Sequence, residues 1–294
     1  MLSQRIYRQN PLAYPAGVAP GFGPTHMASA PGNSQYNGVF SCCALPNGNM
    51  YSVKQGTPGS ITGTPTTNID GRAGPLLKLA TSASYLQFGN QPNVPSTVTQ
   101  HTMAVIVGAG GASNDAWIVT ESISNSNSGG FAFFWNAGTP AIQIQRGGLN
   151  ISMTNYVWTA GHTYFVVVSG NASLVNFLQL DLVNGKIITQ VVATGLSGGS
   201  FTTANTYSVG GRQGQALGCP DGIAAAMANI NLYLSMPQLL QWAQSPWDFW
   251  YPQVRAPLMF SGLGPKIGAV SSVVFRRTFS PVGTRVGSRQ SQAT

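Results

Sequence analysis

The sequence predicts an all-β fold, two antiparallel sheets packed as a sandwich, with one short helix near its end and an extended arm on either side. Three observations carry this. Short segments rich in β-branched and aromatic residues recur from about residue 76, each closed by Gly, Asn or Pro. A helical pattern has one good instance, starting at Ser235. Outside the strand-rich stretch the composition shifts, to Pro and Gly before it and to a run with no acidic residue after it.

In chain order, residues 1–74 form an N-terminal arm and lead-in. Pro and Gly at the density of "NPLAYPAGVAPGFGPTHMASAPGNSQYNG" break both the helical and the strand period. Leu2, Ile6, Tyr7, Leu12, Tyr14 and Phe22 recur at anchor-like intervals, which solvated linkers lack, so this arm is expected to lie on another surface. "TPGSITGTPTTNIDGRAG" (57–74) is a run of turns and short extended pieces.

The body spans 75–254. Its expected strands are "PLLKLA", "SYLQFG", "HTMAVIVGAG", "AWIVTESI", "GGFAFFWN", "PAIQIQRGG", "HTYFVVVSG", "NFLQLDLVNGKIITQVVA", "NTYSVGG" and "AAAMANINLYL". Asn184-Gly185 between two alternating runs predicts a two-residue type I′ turn, because both central positions need positive φ. Leu178, Leu180 and Leu182 then share one face, with Gln179 and Asp181 on the other. The helix starts at Ser235, with Pro237 in its first turn and Gln238 completing a capping-box pattern, and stops before Pro246. Leu239, Leu240 and Trp242 fall on one side of it, and Trp247 and Trp250 follow the break. These aromatics are expected to plug the open end of the sandwich and fix where the C-terminal arm, 255–294, departs.

Charged residues make up 7% of the 294, against about 25% in an ordinary domain, a pattern that suits a chain packed in an assembly. The net charge of +8 is uneven: residues 60–254 net −1, residues 1–59 net +3, and residues 255–294 net +6. Basic arms on a neutral body point to acidic partners. Arg5, Arg8, Phe275, Arg276, Arg277, Phe279 and Arg285 are the candidate partner-binding residues. "VSSVVF" is suited to strand addition at a neighbour's edge, with Arg276 and Arg277 pairing acidic groups beside it. Nucleic acid is a poor fit, because the body does not interleave aromatic and basic residues.

Cys42, Cys43 and Cys219 fit neither a disulfide framework nor a zinc spacing, and are expected reduced, in a protein made in a cytoplasm. No apolar core follows the N-terminal basic residues and no stretch approaches 18 apolar residues, so neither a signal peptide nor a membrane span is expected.

Catalysis and cofactors are not expected. Glycoside hydrolysis needs two carboxylates about 5–9.5 Å apart. The single glutamate, Glu121, shares strand parity with Asp115, but six residues at ~3.3 Å each separate them by ~20 Å. "GLSGG" (195–199) matches a nucleophile elbow only formally, since a strand-like segment follows it rather than a helix. The same objection removes "GAGGASND" (108–115) as a phosphate loop. His26, His101 and His162 lack metal spacing, and Asn114 and Asp115 alone do not make a calcium site. Trp117 and Trp135, with Asn114 and Asp115, are the candidate glycan contacts, although tryptophans on sandwich strands more often fill the core.

The order of these segments resembles the laminin-G-like, concanavalin A-like lectin/glucanase sandwich, over roughly residues 76–252. Where that family carries W-x-x-G-x-W-H before a hydrophobic strand, this chain has "VWTAGHTYFVVV", with Trp158, Gly161, His162 and Tyr164. The family's F-x-G-x-I-D-E-V-R-I-Y-N-R-A-L-S ending is replaced by "CPDGIAAAMANINLYLSM". That stretch loses the charges but keeps the rhythm at Asp221, Gly222, Ile230, Leu232, Tyr233 and Ser235. "SPWDFWYP" is similar to a tail found after this domain in tailed-phage and prophage proteins. The resemblance implies a jelly-roll sandwich, His162 capping a strand edge, and a virion structural protein. Such a protein decorates or attaches, docking on other virion proteins through its arms with homo-oligomeric contacts. The alternative is an adhesin that grips host surface glycans.

Overall fold

Branched and aromatic segments this short satisfy their backbone groups only by pairing, and they pair throughout the body. The computed structural model describes residues 39–45, 49–52, 57–70, 73–80, 84–89, 97–109, 116–122, 131–136, 138, 140–146, 149–196, 199–200, 206–212, 215–216, 218–229 and 232–250. Among them the first strands are β1 (Val39–Ala44), β2 (Met50–Ser52), β3 (Thr57–Pro58), β4 (Ser60–Thr62), β5 (Thr66–Asp70), β6 (Gly74–Leu79) and β7 (Tyr85–Phe88). Next come β8 (Thr97–Val98), β9 (His101–Gly108), β10 (Ala116–Ser122), β11 (Phe131–Asn136), β12 (Ala141–Arg146), β13 (Leu149–Met153) and β14 (Thr163–Gly170). The last are β15 (Val175–Asp181), β16 (Ile187–Val192), β17 (Gly199–Ser200), β18 (Thr206–Val209), β19 (Gly211–Arg212), β20 (Gln215–Ala216) and β21 (Cys219–Asn229). Helix α1 (Met236–Ala243) and a 3-10 turn (Pro246–Phe249) follow.

The larger sheet runs β16-β15-β14-β9-β21-β1-β2-β3, with β6 also on β21 and β5 on β6. The smaller runs β13-β12-β11-β10-β18-β7-β4, and every pairing in both is antiparallel. Between the sheets lies a core that includes Phe40, Val105, Phe131, Phe133, Tyr164, Val166, Phe177 and Tyr207. The all-β sandwich read from the sequence is the fold observed.

The centre of the larger sheet is buried on both faces. Every residue of β9, β14 and β15 is buried. On the outer face Ala104, Ile106, Phe165, Val167, Leu178, Leu180 and Met227 form a second core with Leu239, Trp242, Trp247, Phe249 and Trp250. The helix therefore does not plug the end of the sandwich, as its aromatic content suggested; it covers the outer face of the larger sheet as a third layer. The reason is area: strands that are apolar on both faces present a whole second surface to cover, whereas the end of a sandwich presents loops. Leu240 also departs from expectation, since it is exposed while Leu239 and Trp242 are buried.

A polar ladder ties this cover down. Thr102 Oγ1 donates to Leu232 O at 2.7 Å, and Leu234 N–H donates to Ser169 Oγ at 2.6 Å. Asn176 Nδ2 donates to Leu234 O at 3.1 Å and to the Tyr233 hydroxyl at 3.0 Å. Beyond it the backbone N–H of Ser235 donates to Gln238 Oε1 at 2.8 Å, the reciprocal half of the expected capping box. Trp250 Nε1 reaches Ala226 O at 3.1 Å, so the last described residue is fixed over β21.

Three local readings change. Residues 39–70, grouped with the arm for their Pro and Gly content, include β1 to β5, and β1 pairs with β21 inside the larger sheet. The last strand runs from Cys219 to Asn229, and Leu232 and Leu234 leave the ladder to be buried under the cover. The turn after Asp181 is a four-residue loop, since Asp181 N–H bonds Lys186 O and Leu180 pairs with Ile187. The Asp181 carboxylate favours this longer loop by accepting the N–H groups of Val183 and Asn184, and Gly185 takes the one left-handed position, φ 68°. Two- and four-residue loops differ by an even number, so the expected faces of Leu178, Leu180 and Leu182 are kept.

β21 changes partners along its length, and the register shifts between Cys219 and Ile223 and again between Ile223 and Ala225. Gly222 makes the bend at φ 91°, where a Cβ would lie 2.9 Å from Leu76 Cβ. Gly222→Ala is therefore expected to cost about 1–3 kcal/mol in urea unfolding, through both the left-handed backbone and the contact. A wild-type midpoint would show that the bend relaxes at no cost.

Adjacent residues of β1 face opposite layers. Cys42 lies in the core between the sheets with Cys219, while Cys43 lies beneath the cover. Burial raises the thiols of Cys42, well above its ordinary value, and of Cys219, to about 12.

Candidate functional site

The chain crosses from β13 in the smaller sheet to β14 in the larger through residues 154–162, at one rim of the sandwich. Trp158 is drawn inward there and stacks on Trp135 at 5.2 Å between centroids and 5° between planes. It also stacks on Tyr164 at 5.3 Å and 15°, while Tyr156 meets Trp135 edge-on at 4.6 Å. Each such pair adds about 0.5–1.5 kcal/mol beyond area burial. Tyr164 and Trp135 are buried, and Tyr156 and Trp158 are half-buried. Four rings thus pack together at this part of the rim.

Polar groups fix the crossing segment along its length. The buried Gln179 amide accepts from Val157 N–H at 2.8 Å and donates to Val157 O. Thr159 N–H donates to the Tyr164 hydroxyl at 3.0 Å. Gly161 N–H bonds Ala109 O at 2.7 Å, and Ala109 N–H bonds His162 O at 2.8 Å. Thr154 N–H reaches Gln190 Oε1 at 2.8 Å, and Asn155 Nδ2 reaches Thr189 O at 2.9 Å.

At the inner corner His162 Nδ1 lies 2.8 Å from Asp181 Oδ2, which also accepts from Asn184 Nδ2 at 3.0 Å. Burial pushes the Asp181 carboxyl up, but hydrogen bonds from His162 and from the Val183 and Asn184 N–H groups outweigh it, and the carboxyl titrates below its ordinary value. Donors on both its oxygens make Asp181 an anchor for the hairpin and for His162, not a free general base. The indole N–H groups of Trp135 and Trp158 are buried without an acceptor, side by side in the stack.

Of the residues singled out as glycan contacts, Trp135 lies in the core between the sheets and is 5% exposed, so it has no face to offer a sugar. Packed against Trp158 and Tyr156 from the crossing segment, it takes the core placement more usual for a strand tryptophan. Trp117 pairs with Phe134 through its backbone, and its side chain lies outside the described residues, as do Asn114 and Asp115. Leu239, Trp242, Trp247 and Trp250 come together on the outer face. Arg5, Arg8, Phe275, Arg276, Arg277, Phe279 and Arg285 lie outside the described residues. His101 is buried against the Phe131 ring at 4.0 Å. Among the described residues no group of three or more His, Cys, Asp or Glu is placed to hold a metal, and no helix is long and apolar enough to cross a membrane.

The sequence reading missed the His162–Asp181 pair and the Trp135–Trp158–Tyr164 column. A usable signal existed: Asp181 shares strand parity with Gln179 and Phe177, so the inner face of β15 turns polar at this end and calls for donors from another segment.

No family model matches the sequence, and no curated protein does. Among solved structures, the chain is similar to domain 4 of AbnA, an extracellular GH43 arabinanase from Geobacillus stearothermophilus solved with arabinotriose. The identity is 12%, covering 70% of this chain and 98% of that one, with a TM-score of 0.50. It is also similar to tailspike protein 2 of the Escherichia coli O157:H7 bacteriophage CAB120, at 14% identity and a TM-score of 0.46. That match covers 64% of this chain and spans 27% of the tailspike's length. At 12% identity the likeness to the arabinanase domain is one of fold alone.

Proposed function

We propose that this chain is a non-catalytic structural protein of a tailed-phage virion, a decoration or attachment component. Its basic arms dock on capsid or tail proteins, and its lectin-like sandwich is displayed. The observation that carries the reading is the ring cluster at the rim: Trp135, Trp158 and Tyr164 pack into one another, and the Asp181 carboxylate there is spent on local donors. A neutral body between basic ends, Arg5 and Arg8 at one and a net +6 over residues 255–294 at the other, supports docking through the arms. The phage setting rests on the resemblance of "SPWDFWYP" to the tails of such proteins.

Replacing Arg276 and Arg277 together by alanine is expected to lower occupancy on particles roughly tenfold or more, with the thermal midpoint unchanged. Unchanged occupancy would overturn docking through that arm.

A second reading, a glycan-binding adhesin, draws support from the half-buried Tyr156 and Trp158 and the two unpaired indole N–H groups. The arabinotriose held by the arabinanase domain is consistent with it. Host polysaccharide that quenches tryptophan fluorescence in the wild type but not in Tyr156→Ala would favour this reading over the first.

A further inference from the structure

The larger sheet ends at β16, whose only strand partner among the described residues is β15. Native edges are usually blunted by proline, lysine or a covering segment. β3, at the other end of the same path, carries Pro58. β16 reads "IITQVV", with no charge and no proline. Ile187, Thr189 and Val191 pair with Leu180, Leu178 and Asn176, so they share the outer face. There Ile187 is 42% and Val191 54% exposed.

The phase of the hairpin fixes which backbone groups point outward. Asp181 and Lys186 form a hydrogen-bonded pair, so bonding to β15 alternates from there and falls on Ile188, Gln190 and Val192. The N–H and C=O groups of Ile187, Thr189 and Val191 therefore point away from the sheet, and the bond from Asn155 Nδ2 to Thr189 O is consistent with this.

The geometry points to this edge as a homodimer interface, in which β16 pairs antiparallel with β16 of a second copy about a two-fold axis at Thr189. The strand complements itself in that register. Thr189 meets Thr189 of the second copy, and Ile187 meets Val191 on either side, so every outward-facing residue meets another. Thr–Thr and branched aliphatic pairs are favourable opposite one another, and no like charges are opposed. The two β15 strands would stand three spacings, about 14 Å, apart. Helix α1 packs on β15, and two packed helices need only about 8–10 Å, so both covers fit on the shared outer face. A two-fold pairing also closes, leaving neither β16 edge open to further chains. Thr154 and Asn155 of the crossing segment lie against this strand, bonded to Gln190 Oε1 and to the Thr189 carbonyl. The Asn155 bond to Thr189 O is to be displaced, which sets the sign of one test.

Sedimentation equilibrium of the full chain is expected to show a concentration-dependent dimer, weakened roughly tenfold or more by Val191→Lys with an unchanged circular dichroism spectrum. Asn155→Ala is expected to tighten it roughly two- to fivefold, by removing the competitor for Thr189 O. Thr189→Cys places two thiols across the axis at a Cα separation of about 5.5 Å, within disulfide reach. It should cross-link on mild oxidation, while Gln190→Cys should not. The three native cysteines are buried and give little background. A wild-type monomer at all concentrations, a dimer indifferent to Val191→Lys, or equal cross-linking at 189 and 190 would each overturn the interface.

Discussion

Trp242→Ala is expected to lower the unfolding free energy by about 3–5 kcal/mol, and the thermal midpoint by on the order of 10 °C. Trp242 has no exposed surface, and its ring lies 5.1 Å from Phe165 of β14, 5.6 Å from Phe249 and 6.2 Å from Trp250. Removing it leaves a cavity between sheet and cover that neighbours fixed from both sides cannot fill. The control is Leu240→Ala on the exposed side of the same helix, expected within about 0.5 kcal/mol of wild type. Urea unfolding followed by fluorescence and by circular dichroism decides the matter. Two coincident transitions, both displaced, mean the cover and the sandwich unfold together. A Trp242→Ala protein with an unmoved main transition would mean that the cover is held independently of the sheet.

Asp181→Asn is expected to cost about 1–3 kcal/mol at neutral pH and to remove an acid-dependent part of the stability. The wild-type carboxyl titrates lower in the folded protein than in the unfolded chain, where its ordinary value is about 3.9. Its contribution is therefore complete above that value and is lost as pH falls through the folded one. The gap between wild type and variant should be constant near neutrality and shrink below about pH 4. The amide cannot accept from His162, two backbone N–H groups and Asn184 as the carboxylate does. A gap that widens on acidification would show that Asp181 is not held as the anion.

Much of the sandwich was legible because its strands announce themselves. "FVVV" in β14, "AVIV" in β9 and the Leu alternation in β15 have no other stable use at those lengths. The same runs also hold the clue to the third layer. A strand apolar at consecutive positions is covered on both faces, so the sheet containing β9, β14 and β21 required a layer outside it. The composition of helix α1 tells how apolar it is but not which surface it meets. The segment "VFSCCA" is a short run set among Pro- and Gly-rich stretches, and pairing with β21 settles its conformation. At the rim, Trp158 and Trp135 are 23 positions apart and His162 and Asp181 are 19 apart, so no spacing rule joins them. Only the return of β14 beside β15, with Tyr164 opposite Asp181, brings them together.

The neighbouring cysteines of β1 give the protein two internal reporters. Cys43 becomes reachable by a thiol reagent only when the layer over the outer face lifts, whereas Cys42 and Cys219 require the two sheets to part. Their alkylation rates, compared residue by residue under native conditions, separate loosening of the outermost layer from opening of the sandwich itself. A particle-bound chain whose Cys43 alone becomes protected would locate its contact on the covered outer face of the larger sheet.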